Sequence, residues 1–328
     1  MLKKTSFFKI FLVSLITIEI IGGAVLVWKF STSRAWVLGA QAQIVPLEKK
    51  NFQFPQDSTL QYYYEPQPST NETDDFDWLS YKPTYTINKD GLNERFDYTV
   101  DKPSDVYRII TLGDSFTFGL YVNTAENWPE NLEDLLNSNL QCKNIKKFEV
   151  INLGVPGYDI EYSAERYKRR GVKYNPDLVI WFINDDLGQI SEKMAPLNDE
   201  CFAKISTNED KYEGVKRCWG ETYEKVKADL GNDDGFRKYI NNALLNINKY
   251  YSGRLLMIID GKASNDDKEL IRNFADNREN AYLYDNLIDY KKIGGIFPDG
   301  HPKAEAYTYI AKDVFDYLVK NKNIQCES

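Results

Sequence analysis

The chain has 328 residues, of which 42% are hydrophobic and 27% are charged, and its formal net charge is −8. A chain of this length buries a sizeable core, and its ordinary composition argues against global disorder and against a polytopic membrane protein. Residues 1–39 hold five basic residues and one acidic residue, which leaves 36 basic against 48 acidic residues beyond them, a surface that disfavours nucleic acid as a partner.

The first predicted element is the nineteen-residue run 10–28, which is almost wholly apolar, is interrupted by Glu19 and follows three lysines. Its length is that of a membrane-spanning helix. A cleaved signal peptide is the competing interpretation, because Ala40-Gln41-Ala42 has the small-x-small form of a cleavage site; the run, however, is longer than a signal core of about 7–15 residues. We therefore predict a transmembrane anchor at 10–29, with residues 1–9 in the cytoplasm and the remaining chain outside it.

Residues 30–84 show no clear period, which predicts a stalk or lead-in segment that wraps around a domain at 85–328. Two aromatic patches, Tyr62-Tyr63-Tyr64 and Phe76-Asp77-Trp78, are read either as a glycan-stacking surface or, preferably, as packing of this segment against its domain. The turn signal Asn88-Lys89-Asp90-Gly91 between two extended runs predicts a lead-in hairpin.

Beyond the hairpin, predicted strands and helices alternate. The buried strands are predicted at 106–112, 148–153, 178–183, 254–259 and 281–284, and the helices at 125–140, 160–170, 236–250, 268–277 and 302–320. Five apolar strands separated by helices predict an α/β fold with a three-layer, doubly wound, flavodoxin-like parallel sheet. The charged connection at 186–234 is predicted to be an insertion or lid, because connections of that length are usually functional or separately folded.

The four cysteines are Cys142, Cys201, Cys218 and Cys326, and they lack the spacing of a metal site. In an oxidising compartment they can form two disulfides, with Cys201 and Cys218 as the local pair; free buried thiols are the alternative. Neither a metal nor another cofactor is predicted.

The residues that can perform chemistry begin with Ser115, which follows the first buried strand and a glycine. The only histidine of the chain is His301, in a polar loop before the last helix, with Asp299 two positions earlier. A serine hydrolase needs one imidazole as general base, and a nearby carboxylate fixes its tautomer, whereas histidine-rich metal sites need several imidazoles. The competing interpretation is a structural or merely exposed histidine.

Two further candidates follow the second and third strands, namely the turn at Gly157 and the amide of Asn184. Backbone N–H groups and a neutral amide stabilise the oxyanion that forms when an ester carbonyl is attacked. Each also has a simpler interpretation, Gly157 as a turn residue and Asn184 as a helix cap. All these residues follow strand ends at one predicted edge of the sheet.

Four blocks of the sequence, taken in order, resemble the SGNH (GDSL-like) hydrolase family. They are Gly113-Asp114-Ser115-Phe116, the Gly157 turn, Asn184-Asp185 and Asp299-Gly300-His301, and the resemblance covers about residues 85–320. This resemblance implies the SGNH hydrolase fold. The chain also resembles the bacterial members of the family that have a single membrane span and act on surface glycans.

The resemblance also implies roles. Ser115 would be the nucleophile, His301 the base and Asp299 the residue that orients it, while the Ser115 amide, the Gly157 amide and the Asn184 side chain would form the oxyanion hole. The chain departs from the family pattern twice. Phe182 replaces a glycine, and Asp299 precedes His301 by two positions instead of three, so a Ser-His dyad or a carboxylate from elsewhere is the alternative.

The sequence therefore predicts a membrane-anchored, extracytoplasmic serine esterase that acts on O-acetyl esters of a surface polysaccharide. An O-acyltransferase that uses the same residues is one alternative, and a non-catalytic glycan-binding or assembly protein is another. A glycoside hydrolase is disfavoured because no pair of carboxylates is singled out by spacing. The Gly-x-Ser-x-Gly elbow of α/β-hydrolases is absent from the sequence. Oligomeric state is left open.

Overall fold

The computed structural model describes residues 51–76, 78–184, 186–205, 211–261, 263–324 and 326. The predicted cytoplasmic residues 1–9, the predicted anchor at 10–29 and the first part of the predicted stalk lie outside the described residues. Within the described part of the chain, none of the helices combines the length and the apolar character that crossing a membrane requires.

The centre of the fold is a five-stranded sheet in which all neighbouring strands are parallel. Its strands are β5 (Val106–Leu112), β6 (Lys147–Asn152), β7 (Leu178–Ile183), β8 (Arg254–Ile259) and β9 (Ala281–Tyr284), in the order β6-β5-β7-β8-β9. This is the doubly wound order of flavodoxin-like folds. The second strand of the sheet, β6, lies on one side of the first strand, β5, and the later strands are added on the other side. The predicted five-stranded α/β fold is thus confirmed.

Two short antiparallel pairs precede the sheet: β1 (Phe52–Gln53) with β2 (Glu65–Pro66), and β3 (Thr70–Thr73) with β4 (Thr84–Ile87). The helices are α1 (Ser115–Phe118), α2 (Trp128–Asn139), α3 (Ile160–Arg166), α4 (Ser191–Phe202), α5 (Lys211–Asp229), α6 (Asn232–Asn246), α7 (Asn265–Asp276), α8 (Tyr290–Ile293) and α9 (Ala304–Lys320). Short turns of other helix types lie at Thr124–Glu126, Tyr167–Gly171, Val172–Tyr174, Asp186–Gly188 and Ile247–Lys249.

Both faces of the sheet are covered. Side chains alternate along a strand, so Ile109 packs into the core beneath α2 and α9, and Ile110 packs into the core beneath α3, α6 and α7. Both isoleucines are fully buried. Burial on two faces explains why the strands read as continuous apolar runs.

The edge strand β6 is closed by side chains instead of by another strand. Its outward N–H groups are bonded as follows: Phe148 to Asn137 Oδ1 (2.9 Å), Val150 to Glu133 Oε2 (2.7 Å) and Asn152 to Glu94 Oε1. An open strand edge is a template for unwanted pairing, and these bonds remove it.

Residues 51–87, hereafter the N-terminal segment, pack on the domain. Tyr63 is buried against the rings of Tyr158 and Tyr162. Glu65 is also buried, and it pairs with Arg166 and Arg170 on the helical region that follows β6. The segment therefore contributes both apolar and ionic contacts to the domain.

Residues 186–234, the predicted insertion, contain α4 and α5, and the disulfide Cys201–Cys218 links these two helices. A second disulfide joins Cys142 to Cys326. Of the two alternatives for the cysteines, the structure thus contains the disulfides. Glu192 of α4 accepts hydrogen bonds from the amide groups of Gln61 (2.7 Å) and Tyr62 (3.1 Å), which attaches the insertion to the N-terminal segment.

Candidate active site

The turn after β5 places Ser115 at the start of α1. A β-carbon at Gly113 would lie 2.4 Å from Thr117 Oγ1 and 2.7 Å from the Phe182 carbonyl oxygen, so the close approach of β5 to β7 requires glycine there. Asp114 then accepts a hydrogen bond of 2.8 Å from the Phe116 amide and begins the helical turn. Ser115 is buried at this point.

The loop before α9 carries the histidine and is closed by its own backbone. The Phe297 amide donates to the His301 carbonyl oxygen (2.7 Å), and Ile296 forms an antiparallel bridge with Pro302. Between Asp299 and His301, Gly300 has a φ of +98°, a left-handed conformation that glycine adopts without strain. The chain can therefore fold back within two residues.

This fold-back brings Asp299 to the imidazole. Asp299 Oδ2 lies 2.6 Å from His301 Nδ1, and Asp299 Oδ1 accepts a hydrogen bond of 3.1 Å from the His301 amide. The side chains of both residues are almost completely buried. The short spacing in the sequence is thus compatible with a direct Asp-His contact, and the left-handed glycine is the reason.

The other imidazole nitrogen faces the serine. His301 Nε2 lies 2.8 Å from Ser115 Oγ, although the two residues are 186 positions apart in the chain. Ser115, His301 and Asp299 are thus joined in one line of hydrogen bonds. A hydroxyl bonded to an imidazole, which is in turn bonded to a carboxylate, can lose its proton to the imidazole when it attacks a carbonyl.

Gly157 and Asn184 lie at the same edge of the sheet as Ser115. Gly157, with a φ of +77°, is in the loop after β6, and the buried Asn184 directly follows β7. A hydrogen bond of 3.2 Å from Val155 to the Gly113 carbonyl ties the Gly157 loop to the Ser115 turn. Ser115, His301 and Asp299 are joined by hydrogen bonds, whereas Gly157 and Asn184 share with Ser115 only their location at the carboxyl ends of the strands.

The Gly157 loop is held from two sides. Tyr64 of the N-terminal segment donates to the Pro156 carbonyl oxygen (2.7 Å), and Asp159 accepts from the Ser191 amide (2.5 Å) at the start of α4. Burial raises the pKa of Asp159 above its ordinary value, and the amide hydrogen bonds it accepts oppose that rise. Both the N-terminal segment and the insertion therefore shape the loop.

No family model matches the chain, and no curated protein matches it. Solved structures that it resembles include the psychrotrophic esterase EstA from Pseudoalteromonas sp., at 14% identity and a TM-score of 0.40 over 66% of this chain and 99% of that one. Another is the acetylxylan esterase Axe2 from Geobacillus stearothermophilus, at 13% identity and a TM-score of 0.39 over 66% of this chain and 96% of that one.

A third similar structure is a two-domain esterase active on acetylated mannans, at 16% identity and a TM-score of 0.38. The match covers 69% of this chain and 52% of that one. Similarity at this distance does not determine an activity. The functional conclusion therefore rests on the geometry of the site.

Sequence reasoning missed several residues around His301. The rings of Phe116 and Tyr121 lie 5.1 Å and 5.2 Å from the imidazole, centre to centre. Asp74 of the N-terminal segment is close enough for the histidine to act on its pKa; burial raises that pKa, and the charge of His301 opposes the rise. Tyr121 and Asp74 are each one aromatic or acidic residue among many, so no pattern in the sequence singled them out, whereas Phe116 belongs to the block around Ser115 but received no role.

A second polar group lies beside the serine turn. Lys291 forms an ion pair with the buried Asp260, which also accepts a hydrogen bond of 2.7 Å from the Tyr290 hydroxyl. The Lys291 ammonium lies 5.9 Å from the centre of the Phe116 ring. In the described part of the chain, no three histidine, cysteine or acidic side chains are grouped so that they could hold a metal ion.

Proposed function

We propose that this protein is a serine esterase with Ser115 as nucleophile, His301 as general base and Asp299 as the residue that orients the imidazole. The observation that carries the proposal is the line of hydrogen bonds from Ser115 Oγ to His301 Nε2 (2.8 Å) and from His301 Nδ1 to Asp299 Oδ2 (2.6 Å). Nucleophile, base and orienting group in this order are the requirement for acyl transfer through serine.

The reaction follows from this arrangement. Ser115 Oγ attacks the ester carbonyl carbon and gives its proton to His301 Nε2. This attack converts the ester carbonyl into a tetrahedral oxyanion. The intermediate collapses, the ester C–O bond breaks, and the leaving alcohol takes the proton from His301. Water then attacks the acyl-serine, His301 takes its proton, and the free acid and the serine hydroxyl are restored.

The oxyanion hole is assigned to the Ser115 amide, the Gly157 amide and the Asn184 side chain. Among the described residues, the N–H groups of Ser115 and Gly157 donate no hydrogen bond to a protein acceptor, which supports this assignment. Backbone donors fixed at a strand end need little rearrangement as charge develops on the carbonyl oxygen.

The proposed substrate class is O-acetyl esters of a surface polysaccharide, met outside the cytoplasm by a domain that the 10–29 anchor holds at the membrane. The two disulfides support this location, because disulfides persist in oxidising compartments. The acceptor of the acyl group can be water or a sugar hydroxyl, since both react with the same acyl-serine.

The test is labelling by a fluorophosphonate probe together with hydrolysis of p-nitrophenyl acetate. We expect Ser115→Ala to abolish labelling and to lower kcat at least about 10³-fold, because the nucleophile is lost. Ser138→Ala, which changes an exposed serine of α2, is the matched control and should behave as the parent. An unlabelled but folded parent protein would favour the non-catalytic glycan-binding protein.

A second measurement separates hydrolase from acyltransferase. The protein is incubated with an acetylated donor, with and without an added oligosaccharide. The amounts of free acetate and of acetylated oligosaccharide are then measured. Free acetate alone indicates a hydrolase. Acetylated sugar that depends on Ser115 indicates the acyltransferase alternative.

A further inference from the structure

Tyr121 lies directly behind the histidine in a conformation that is unusual for a residue with a side chain. Its φ is +69°, in the left-handed region, and the residue is fully buried. Such a conformation costs free energy, persists only where the surroundings hold it, and is found disproportionately at functional sites. The contacts that hold Tyr121 therefore matter.

The backbone of Tyr121 is held by the N-terminal segment. Its amide donates to the Tyr85 hydroxyl (2.8 Å), and its carbonyl oxygen accepts from the Tyr81 hydroxyl (3.2 Å). The Tyr85 hydroxyl in turn donates to Asp74 Oδ2 (2.5 Å), so one hydroxyl links an acid to the amide. Two side chains from outside the sheet thus fix both polar backbone groups of a strained residue.

The side chain of Tyr121 reaches both members of the His-Asp pair. Its ring meets the His301 ring edge-on, with an interplanar angle of 84° and 5.2 Å between centres. Burial raises the pKa of its hydroxyl far above the ordinary value, and the negative charge of Asp299 raises it further. The hydroxyl is buried and lacks a hydrogen-bond partner among the described residues, and the ring limits rotation of the imidazole by direct contact.

The Tyr121 ring also packs against two further aromatic residues. Trp78 of the N-terminal segment lies 4.8 Å away, and Phe297 of the histidine loop lies 5.7 Å away, both edge-on. Aromatic pairs at these distances and angles stabilise one arrangement of the rings. The rings of His301, Trp78 and Phe297 thus hold the Tyr121 side chain in place.

We propose that Tyr121 is a positioning residue for the His301–Asp299 pair, and that Tyr81 and Tyr85 of the N-terminal segment set its position. This inference rests on the proposed function. Its consequence is that residues before the doubly wound sheet take part in the active site, since they decide where the imidazole can point. A tyrosine that only filled the core would affect stability without a specific effect on turnover.

The test uses three tyrosine-to-phenylalanine variants of the full chain. Tyr121→Phe removes the hydroxyl beside Asp299 and keeps the ring. Tyr81→Phe removes the bond to the Tyr121 carbonyl oxygen and a contact of 3.3 Å with the Glu126 carboxylate; the side chain is partly exposed, so the fold should stay intact. Tyr107→Phe is the matched control, because it removes a buried hydroxyl that bonds the Asn323 carbonyl oxygen (3.3 Å), distant in the fold from the histidine.

Kinetic constants for p-nitrophenyl acetate, the fluorophosphonate labelling rate and Tm are measured for each variant. We expect Tyr121→Phe to lower kcat about tenfold, because the dipole of a buried hydroxyl beside the Asp299 charge is lost, with KM within about twofold of the parent. Tyr81→Phe should lower kcat by a smaller factor in the same way. Tyr107→Phe should lower Tm without changing kcat measured well below Tm.

A Tyr121→Phe variant with the kcat of the parent would overturn the inference, and so would a loss of kcat equal to that of Tyr107→Phe. Failure of the proposed function gives a different result, because the parent itself would then show neither labelling nor hydrolysis. A rise in KM with unchanged kcat would assign Tyr121 to substrate binding and would also overturn the positioning role.

Discussion

The central sheet and the N-terminal segment both contribute to the candidate site, but by different means. The sheet places Ser115 and Asn184 through backbone register, since each follows the end of a buried parallel strand. The N-terminal segment acts through single side chains, such as Tyr64 on the Pro156 carbonyl oxygen and Tyr85 on the Tyr121 amide. The sheet thus sets the positions of backbone at the site, and the N-terminal segment sets the orientation of the groups that surround it.

This difference has a physical consequence. A strand is held by many backbone bonds at once, so no single side chain on it is decisive for register. The polar contacts of the N-terminal segment are individual hydrogen bonds and ion pairs, and each can be removed by one substitution. Mutations should therefore separate the two contributions.

The largest expected effect is at Asp299, in the loop that brings the imidazole to the serine placed by the sheet. In Asp299→Asn, the amide Oδ1 can still accept from the His301 backbone, but an N–H₂ group then faces His301 Nδ1 and favours the wrong tautomer. We expect kcat to fall about 10⁴-fold, as when a triad carboxylate becomes an amide, with little change in Tm. Steady-state kinetics checks this. Activity within tenfold of the parent would support a Ser-His dyad instead.

The next effect tests the N-terminal segment as a stabilising element. Glu65 is fully buried and pairs with Arg166, and although burial opposes it, the arginines hold the pKa of Glu65 below its ordinary value. Glu65→Gln leaves these guanidinium groups without their counter-charge, so the free energy of unfolding should fall by about 3–5 kcal/mol. Urea denaturation provides the measurement.

The matched control for Glu65 is Asp57→Asn, which removes an exposed partner of Arg169 at 2.8 Å. Exposed ion pairs contribute little because water and salt screen them. The control should therefore unfold at nearly the same urea concentration as the parent. Equal losses in the two variants would contradict the view that the buried pair attaches the segment.

The smallest of these effects concerns pH and the edge of the sheet. Burial raises the pKa of Glu133 to about 7, and its carboxyl accepts bonds from the Val150 amide and the Tyr98 hydroxyl. Because the folded pKa lies above the ordinary value of 4.5, the stabilisation by this group is complete below pH 4.5. It is lost as pH rises through 7, by up to about 3 kcal/mol.

Glu133→Gln tests this sign. The amide oxygen can accept both hydrogen bonds but does not titrate, so the variant should lose less stability than the parent between pH 5 and pH 8. Urea denaturation at a series of pH values gives the difference, in which the contributions of acids that do not interact with Glu133 cancel. Parallel curves for the two proteins would show that Glu133 does not titrate in this range.

The sequence predicted the sheet well because its information is periodic and local. Continuous apolar runs such as 178–183 identified all five strands, and the glycine before Ser115 marked the end of one. No helices were predicted within residues 186–234, because their many charged side chains obscure the apolar face of a helix. The structure forms α4 and α5 there. Helix α9 begins at Ala304 instead of at 302 because Pro302 bridges to Ile296.

The site was predictable in part. Ser115, His301 and Asp299 were selected by residue type and by their places after predicted strands, and they meet within hydrogen-bond distance. The fold-back at Gly300 was not predictable, since a left-handed φ is set by the bridge around the loop. Tyr121 gave no signal, because its importance depends on contacts from residues 36 and 40 positions away.

The Cys142–Cys326 disulfide closes the chain between these residues into a covalent ring. His301, Asp299, Gly157 and Asn184 belong to the ring, whereas the serine precedes it. A protease that cuts once within the ring leaves both fragments joined, and a cut between residues 115 and 142 is what would detach the serine from its partners. The stretch in which a single cut separates the serine from its partners is therefore short, and 12 of its residues form helix α2, one face of which is buried.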